Sequence, residues 1–584
     1  MRKEEATLSP EKKYYEALDR SLQIATSRGS GGLSPAALAL AFYDLWLHVQ
    51  SHPAKQFELT ERAQDNFWYL FSQYFCEATS DEKSGLCKAI WQDKRFSNQL
   101  WQHFPYSFLY ESFLAMQNWW QEATTDVRGL SKHHQDVVNF SLRQYLDMLS
   151  PSNSPLLNPE VQQAALSTNG ENFIKGYENF LDDLKRYQTG APPHGAENYV
   201  VGKNIAVTPG KVIYCNNLIE LIQYSPTTKQ VYAEPILITP AWIMKYYILD
   251  LSQKHSLVKY LVDQGHTVFM ISWKNPKSKD RDLGMEDYLQ LGILNSLDVI
   301  NAVVPRQKIH LVGYCLGGTL AAIAAATMAR DDDHRLASMT LFAAQVDFTE
   351  PGELGLFIDE SQIAYLESLM AEKGYLDTHQ MAGAFQLLRS NDLIWSRIIR
   401  EYLLGERKPL TDLMAWNADA TRLPYRMHSE YLRQLFLHNT LAKGNYLVKG
   451  RPIALTDINI PMFVVATERD HVSPWASVFK INILTKGDVT FVLTSGGHNA
   501  GIVSLPSKKA TRYFRISTLK KVDHYIDPQS WYERLKPKEG SWWPAWETWI
   551  AKLSPKKKAP PTMGAPQKGY APLLDAPGKY VNQK

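Results

Sequence analysis

The chain has few cysteines and little net charge for its length. Only four of its 584 residues are cysteine (Cys76, Cys87, Cys215 and Cys315), too few for a disulfide framework in a chain of this size. The formal net charge is +3, and no long basic run interleaves with aromatic residues as it does in nucleic-acid-binding surfaces. These absences predict a protein of a reducing compartment, the cytoplasm, that does not bind nucleic acid.

Apolar segments of the kind that target or anchor a chain are also scarce. Residues 1–21 carry charges but no apolar core, so no secretory signal is expected. One uncharged run, residues 311–329, has nineteen residues, which is the length of a membrane-spanning helix. Its three glycines instead predict a buried strand, a turn and an Ala-rich helix, and the mean hydropathy of the chain is −0.31. No transmembrane segment is expected.

Three regions of the sequence differ in pattern. Residues 1–195 place apolar and aromatic residues at helical spacing, which predicts a mainly helical N-terminal domain with its tryptophans mostly in a core and a few at an interface. A stretch with Pro and Gly at 187–199 is suited to a linker. Residues 196–553 alternate β-rich and helical runs. The last region, 554–584, contains six prolines and six lysines, which predicts an extended or mobile tail.

The middle region predicts an α/β fold with a mostly parallel sheet covered by helices on both faces. Between about 350 and 455 there is no convincing strand, and a helical cap inserted above the sheet is expected. The strands are predicted at residues 211–214, 218–224, 235–239, 267–273, 308–314, 338–344, 461–467 and 489–494.

The central motif is Gly313-Tyr314-Cys315-Leu316-Gly317, between an apolar strand and a helix of small residues. It matches the G-x-S-x-G nucleophile elbow of the α/β-hydrolase fold, with cysteine in place of serine. The glycines let strand and helix pass closely, and the helix N-terminus favours a thiolate at Cys315. A buried structural cysteine in a tight turn is the alternative, but the strand–turn–helix context favours a nucleophile.

The acid and base candidates follow the nucleophile in the order that this fold has. Asp470 follows one predicted strand, and His498 lies in a glycine loop after the next. His471, beside Asp470, is the rival base, but a base on a separate loop can reach over the elbow. The backbone N–H groups of Leu316 and Trp242 are expected to form the oxyanion hole, with Trp242 in the loop after the third strand. No metal site is expected.

Cysteine in place of serine suggests the type of acyl donor. Exchange between a thiolate and an acyl thioester keeps the acyl group activated. The acyl group can then pass to a hydroxyl group and form the more stable oxygen ester. The nucleophile therefore suggests an acyltransferase with a thioester donor and a hydroxyl acceptor.

Many stretches resemble the polyhydroxyalkanoate synthase family over about residues 85–550. They include DKRFSNQLW, LSPSNSPLLNP, PAWIMKYYILDL, QGHTVFMISWKNP, GYCLGGT, AWNADATRLP, ERDHVSPW, GGHNAGIVSLP and GSWWPAWETW. The chain length, the complete helical N-terminal region and the GYCLGGT elbow look most like the single-subunit class I enzymes. The sequence departs from the family in two places, since PAWIM replaces a PPWIN-like loop and GIVSLP replaces GVxNPP.

The resemblance implies that Cys315, Asp470 and His498 match the nucleophile, acid and base of the family. It implies polymerisation of (R)-3-hydroxyacyl-coenzyme A, chiefly 3-hydroxybutyryl-CoA, into a polyester. Coenzyme A would be the leaving group, and no cofactor would be needed. The family also implies a homodimer in the cytoplasm at polyhydroxyalkanoate granules, with granule-associated proteins as partners.

Two points stay open at this stage. Arg389 lies in a stretch that recurs in the family, and either a contact with coenzyme A phosphates or a place on a helix surface would explain it. The function also has two alternatives. One is a thioesterase or esterase that uses the same triad and releases free acid, and the other is a granule scaffold that uses the aromatic N-terminal region.

Overall fold

The computed structural model describes residues 9–30, 33–79, 92–378, 380, 390–507 and 511–584. These residues form two compact units. One unit comprises the described residues of 25–194 and 380–409, and the other those of 1–24, 195–379 and 410–584. The expected cap at about 350–455 is therefore divided, because the described residues of 380–409 group with the helical unit.

The N-terminal region is mainly helical, as predicted. Its aromatic core contains Phe96, Trp101, Tyr110 and Phe113. Trp68 is 62% exposed, so not every tryptophan of the region is in a core. The helices are α1 (Pro10–Ser30), α2 (Pro35–Gln50), α3 (Pro53–Thr79), α4 (Tyr106–Thr124), α5 (Lys132–Met148), α6 (Pro159–Ser167) and α7 (Glu171–Thr189).

Residues 390–409 join the helical unit because they pack on α7. The side-chain amide of Asn172 donates to the carbonyl of Leu403 at 2.7 Å, and Arg407 forms ion pairs with Asp182 and Asp183. A tertiary contact of this kind leaves no mark in the local pattern of the sequence. This segment contains two π-helical stretches, Asn391–Trp395 and Ile398–Leu403.

The other unit is built on an eleven-stranded sheet. Its strands are β1 (Gly210–Cys215), β2 (Ile219–Tyr224), β3 (Ile236–Thr239), β4 (Val268–Trp273), β5 (Ile309–Tyr314), β6 (Leu336–Phe342), β7 (Met462–Thr467), β8 (Val489–Thr494), β9 (Tyr513–Leu519), β10 (Lys538–Glu539) and β11 (Leu574–Asp575). They follow the order β10-β9-β8-β7-β6-β5-β3-β4-β2-β1-β11. The six strands from β8 to β4 run parallel, and the outer strands pair antiparallel.

Helices cover this sheet, and the helix that follows β5 is the most buried of them. The helices are α8 (Leu257–Asp263), α9 (Met285–Asp287), α10 (Asn295–Val303), α11 (Leu316–Arg330), α12 (Glu360–Lys373), α13 (Asp412–Asn417), α14 (Tyr425–Glu430), α15 (Trp475–Phe479), α16 (Ile481–Leu484), α17 (Pro528–Arg534) and α18 (Trp543–Leu553). Every residue of α11 from Leu316 to Met328 is buried. Among the described residues, no helix has both the length and the hydropathy that crossing a membrane requires.

The cap region contains short strands that were not predicted. Tyr375–Leu376 pairs with Leu423–Pro424, and Tyr446–Val448 pairs with Arg451–Ile453. Strands of two or three residues are too short to show an alternation of polar and apolar residues. A π-helical segment also lies within the cap region, at Tyr431–Leu437, and another precedes it in the chain, at Tyr288–Leu294.

The segment 554–584 differs from the mobile tail that its composition predicts. Lys557–Lys558 pairs with Val231–Tyr232, β11 pairs with β1 at the sheet edge, and Val581 is buried in the core. The expectation of an extended or mobile tail did not include these contacts, by which the segment adds short strands and a buried side chain to the folded unit. Its prolines are tolerated because an edge strand has one row of backbone groups without a ladder partner.

A buried histidine connects β5 to its neighbours. His310 is fully buried, and its two ring nitrogens lie 2.7 Å from the hydroxyl oxygens of Ser338 and Ser554. Burial, together with the charge of His266, lowers the pKa of His310 from 6.5 to about 3. The ring is therefore neutral in the folded protein at ordinary pH.

Because the folded-state pKa of His310 lies below the unfolded value, its stabilising effect is complete above pH 6.5 and is lost as the pH falls toward 3. The loss should reach about 1.4 kcal/mol per pH unit below the unfolded pKa. His310→Gln should therefore flatten the pH dependence of the free energy of unfolding, measured by urea denaturation at about pH 7.5 and about pH 5. His334→Gln, at a side chain that is 75% exposed, is the control. An acid loss in His310→Gln as steep as that of the parent protein would contradict this account.

Candidate active site

Cys315 occupies a strained turn between β5 and α11. Its φ is 52° and its ψ is −125°, a conformation that costs a non-glycine residue about 1–3 kcal/mol. The Cys315 amide donates to the carbonyl of Phe342 at 2.9 Å, and its own carbonyl accepts from Gly318 at 2.8 Å. The turn places a partly exposed free thiol at the N-terminus of a fifteen-residue helix.

The glycines around Cys315 are required by close packing. A Cβ atom on Gly313 would lie 2.3 Å from the Cα atom of Gly318, and one on Gly317 would lie 2.2 Å from the carbonyl oxygen of Thr239. Heavy atoms cannot approach so closely, so a side chain at either position would push the helix away from the sheet. The start of α11 therefore lies against the end of β3 and the loop that follows it.

Asp470 and His498 meet at the carboxyl ends of β7 and β8. The Nδ1 atom of His498 lies 2.8 Å from Oδ2 of Asp470. The other carboxylate oxygen of Asp470 accepts N–H groups from Val472 at 2.9 Å and Ser473 at 2.8 Å. Nδ1 is thus engaged, and Nε2 is the ring nitrogen that remains for the Cys315 thiol.

Electrostatics links these two residues to the cysteine. Burial alone would lower the pKa of His498, but the charges of Asp470 and Cys315 and its hydrogen bonds to both raise that pKa well above its usual value. Burial alone would raise the pKa of Asp470, but His498 and the two amides hold it below its usual range. The arrangement stabilises a protonated imidazole between a carboxylate and a sulfur atom.

The structure brings Cys315, Asp470 and His498 together, and the histidine on Asp470 is His498 and not the rival His471. The backbone carbonyl of His471 accepts an N–H from Glu353 at 3.3 Å. Arg389 lies outside the described residues. Among the residues that are described, no group of three His, Cys, Asp or Glu side chains could hold a metal ion.

Leu316 and Trp242, the two candidates for the oxyanion hole, are both buried. The Trp242 carbonyl accepts the hydroxyl of Thr421, and its indole N–H lies 3.3 Å from the sulfur of Met427. Within the described parts of the chain, neither the Leu316 amide nor the Trp242 amide has a hydrogen-bond partner. Both N–H groups are therefore unpaired within the described residues.

Sequence reasoning missed several neighbours of the site. Thr467 donates its hydroxyl to Asp470 at 3.1 Å, and its place three residues before Asp470 at a strand end was the available signal. Asn499, next to His498, donates to Asn417 of the cap at 3.3 Å. Burial, with a further contribution from the Cys315 charge, raises the pKa of Tyr431. The cap thus supplies Tyr431 near the cysteine, at a position that no local motif marks.

Family models match most of the chain. A model described as the poly-beta-hydroxybutyrate polymerase (PhaC) N-terminus matches residues 92–261, and a second N-terminal model of that polymerase matches residues 13–55. A model of the alpha/beta hydrolase fold matches residues 234–504. The last match confirms the fold predicted from the elbow.

Curated relatives agree with these matches. A poly(3-hydroxyalkanoate) polymerase from Methylorubrum extorquens is 39% identical over 84% of this chain and 81% of its own length. The polymerase subunit PhaC of Rhizobium meliloti is 35% identical over 92% of this chain and 87% of its own length. The PhaC subunit of Cupriavidus necator is 32% identical over 97% and 95%. With this identity over nearly the whole length of its relatives, the chain belongs to the poly(3-hydroxyalkanoate) polymerase family.

Proposed function

We propose that this chain polymerises (R)-3-hydroxyacyl-coenzyme A, chiefly 3-hydroxybutyryl-CoA, through an acyl group carried on Cys315. The observation that supports this most is that His498 is hydrogen-bonded both to Asp470 and to the elbow cysteine. Coenzyme A is the leaving group, and the chemistry requires no cofactor or metal.

Acylation begins when His498 takes the proton of the Cys315 thiol. The thiolate attacks the thioester carbonyl carbon and forms a tetrahedral oxyanion. When this collapses, the bond from the acyl carbon to the sulfur of coenzyme A breaks, and His498 returns its proton to the departing sulfur. Asp470 holds the ring in the tautomer that this exchange needs and stabilises its protonated form.

The amides of Leu316 and Trp242 are the proposed donors to the oxyanion. Support comes from the close packing of Gly317 on the carbonyls of Thr239 and Pro240, because it brings the start of α11 beside the loop that contains Trp242. Both amides lack another partner among the described residues. A donor in such a place is worth about 100- to 1,000-fold in rate.

Elongation repeats the same steps with a hydroxyl nucleophile. The hydroxyl of a monomer or of a growing chain attacks the acyl-cysteine, with His498 as the base and Asp470 behind it. An oxygen ester forms, and Cys315 is released for the next acylation. The cap should exclude water, since hydrolysis of the acyl-cysteine would end the chain. A thioesterase with the same triad would instead release free hydroxy acid.

Substitution of the nucleophile tests the proposed mechanism directly. Cys315→Ala should abolish both thiol release from 3-hydroxybutyryl-CoA and the formation of insoluble polyester, and circular dichroism should be unchanged. Cys315→Ser should also be nearly inactive, since a serine ester is a poor acyl donor to another alcohol. Cys215→Ala, at an exposed free cysteine, is the matched control and should retain activity. Polymer formed by Cys315→Ala would exclude this mechanism, and free acid formed by the parent protein would favour the thioesterase.

Substitutions of the base and of the acid should impair different steps of the reaction. His498→Gln should lose acylation, because the thiol then has no base. Asp470→Asn should still acylate slowly but elongate poorly, because the ring loses the charge that stabilises its protonated form. A rapid-quench assay of acyl-enzyme and a polymer-yield assay separate the two steps. His471→Gln is the control, and a loss of acylation in that variant with His498→Gln unaffected would reverse the assignment.

We also propose that the N-terminal unit joins two copies of the chain into a homodimer. An exposed aromatic surface on α2 and α3 supports this: Tyr43, Trp46, Phe67 and Trp68 are each more than half exposed. Such residues are enriched at protein interfaces. The growing polyester would keep the enzyme at cytoplasmic granules, where granule-associated proteins would also bind.

The double variant Trp46→Gln, Trp68→Gln should therefore weaken self-association, seen as a lower sedimentation coefficient in analytical ultracentrifugation. Polymer yield should fall with it, while alkylation of Cys315 stays unchanged. Leu166→Gln changes a residue of α6 that is 82% exposed and serves as the control. Unchanged self-association in the double variant would rule out this surface, and loss of polyester binding alone would assign it to the polymer instead.

A further inference from the structure

The end of the described chain is fastened to a buried carboxylate of the sheet. Glu220 of β2 is 2% exposed, and its Oε2 atom accepts the N–H groups of Lys579 and Tyr580, each at 2.9 Å. Burial raises the pKa of Glu220, and these two donors act against that rise. Next to them, the side chain of Val581 is buried in the core. The position of residues 579–583 is thus set by both polar and apolar contacts.

Gln583 then reaches the loop that follows β3. Its backbone carbonyl accepts the ammonium group of Lys245 at 2.5 Å and the side-chain amide of Asn275 at 3.4 Å. The side-chain oxygen of Gln583 accepts the backbone N–H of Asn275 at 3.2 Å. Burial lowers the pKa of Lys245 to about 8, against the influence of the Asp419 charge. A buried ammonium group that lost its carbonyl acceptor would have to move.

Lys245 is the last residue of the loop that contains Trp242 and follows β3. The loop is held on its other side by the cap, where the indole of Trp416 donates to the Lys245 carbonyl at 2.8 Å and Thr421 donates its amide to the Ile243 carbonyl at 3.0 Å. Asn275 contacts both supports of the loop. It donates to Gln583 on one side, and its side-chain oxygen accepts the Arg422 amide of the cap at 3.0 Å on the other. Displacement of Gln583 would therefore release one of the two supports of this loop.

We propose that residues 579–583 are a positioning element for acylation, which holds the Trp242 amide at the oxyanion through the contact of Gln583 with Lys245. This rests on the proposed function, because it takes Trp242 as an oxyanion donor. None of the hydrogen bonds that the structure gives for residues 579–583 reaches Cys315, Asp470 or His498, so in this role the element acts through the loop. Its effect should fall on steps that pass through an oxyanion and should spare the activation of Cys315 by His498.

Two reactions of the full-length protein separate these effects. Coenzyme A release from 3-hydroxybutyryl-CoA passes through a tetrahedral oxyanion. Alkylation of Cys315 by iodoacetamide does not, and its rate at that peptide can be followed by mass spectrometry. Two variants disturb the contact: Lys245→Met removes the ammonium group at nearly constant length, and Val581→Asp places a charge in the core. Leu573→Asp, at a 55% exposed residue of the same segment, is the control.

Both variants should lower kcat for coenzyme A release by about tenfold or more. The alkylation rate of Cys315 should stay within about twofold of the parent, and Leu573→Asp should match the parent in both reactions. If Val581→Asp fails to fold, Lys245→Met decides alone. Unchanged coenzyme A release in a folded Lys245→Met protein, or an equal fall in alkylation, would overturn the proposal. Failure of the proposed function itself is distinct, since coenzyme A release would then survive in Cys315→Ala.

Discussion

The position of the nucleophile depends on how closely the start of α11 can approach the ends of β3 and β5. Gly313, Gly317 and Gly318 leave no room for a side chain at this crossing. The strained backbone of Cys315 is held because α11 is buried along nearly its whole length and cannot tilt to relax it. The same approach sets the Leu316 amide beside the loop after β3. One steric constraint thus orients both the sulfur atom and the proposed oxyanion donors.

A second constraint is electrostatic and acts on the other side of the sulfur. Asp470 is buried, so its negative charge must be compensated locally, and two backbone amides and the ring of His498 do this. Because the carboxylate is already stabilised as an anion, the proton of the pair resides on the imidazole. The imidazole also lies within hydrogen-bonding reach of the sulfur of Cys315. The strained turn therefore sets the position of the Cys315 sulfur, and the charged pair of Asp470 and His498 lies beside that same atom.

The sequence predicts the parts of this architecture that depend on local pattern. The parallel strands were found because both of their faces are apolar. Asp470 and His498 were named because the fold imposes an order of acid and base along the chain, and the structure places the two side chains in contact. Strand β9, which is second from one edge of the sheet, was missed because polar residues such as Arg515 interrupt its alternation. Tyr431 was missed because its place near Cys315 is a tertiary contact. The division of the cap was missed for the same reason.

The segment 554–584 shows why composition misled. Prolines and lysines argue against a hydrophobic core, but this segment is held mainly through backbone groups, which composition does not describe. Leu573 and Ala576 donate amides to carbonyls of β1 at 2.7 and 2.9 Å, and Gly564 donates to the side chain of Gln223 at 2.7 Å. Each acceptor lies on a strand whose residues are far away in sequence. A segment of this kind becomes ordered only when the sheet edge exists. Through the contact of Gln583 with Lys245, this ordering couples the sheet edge to the loop that ends at Lys245.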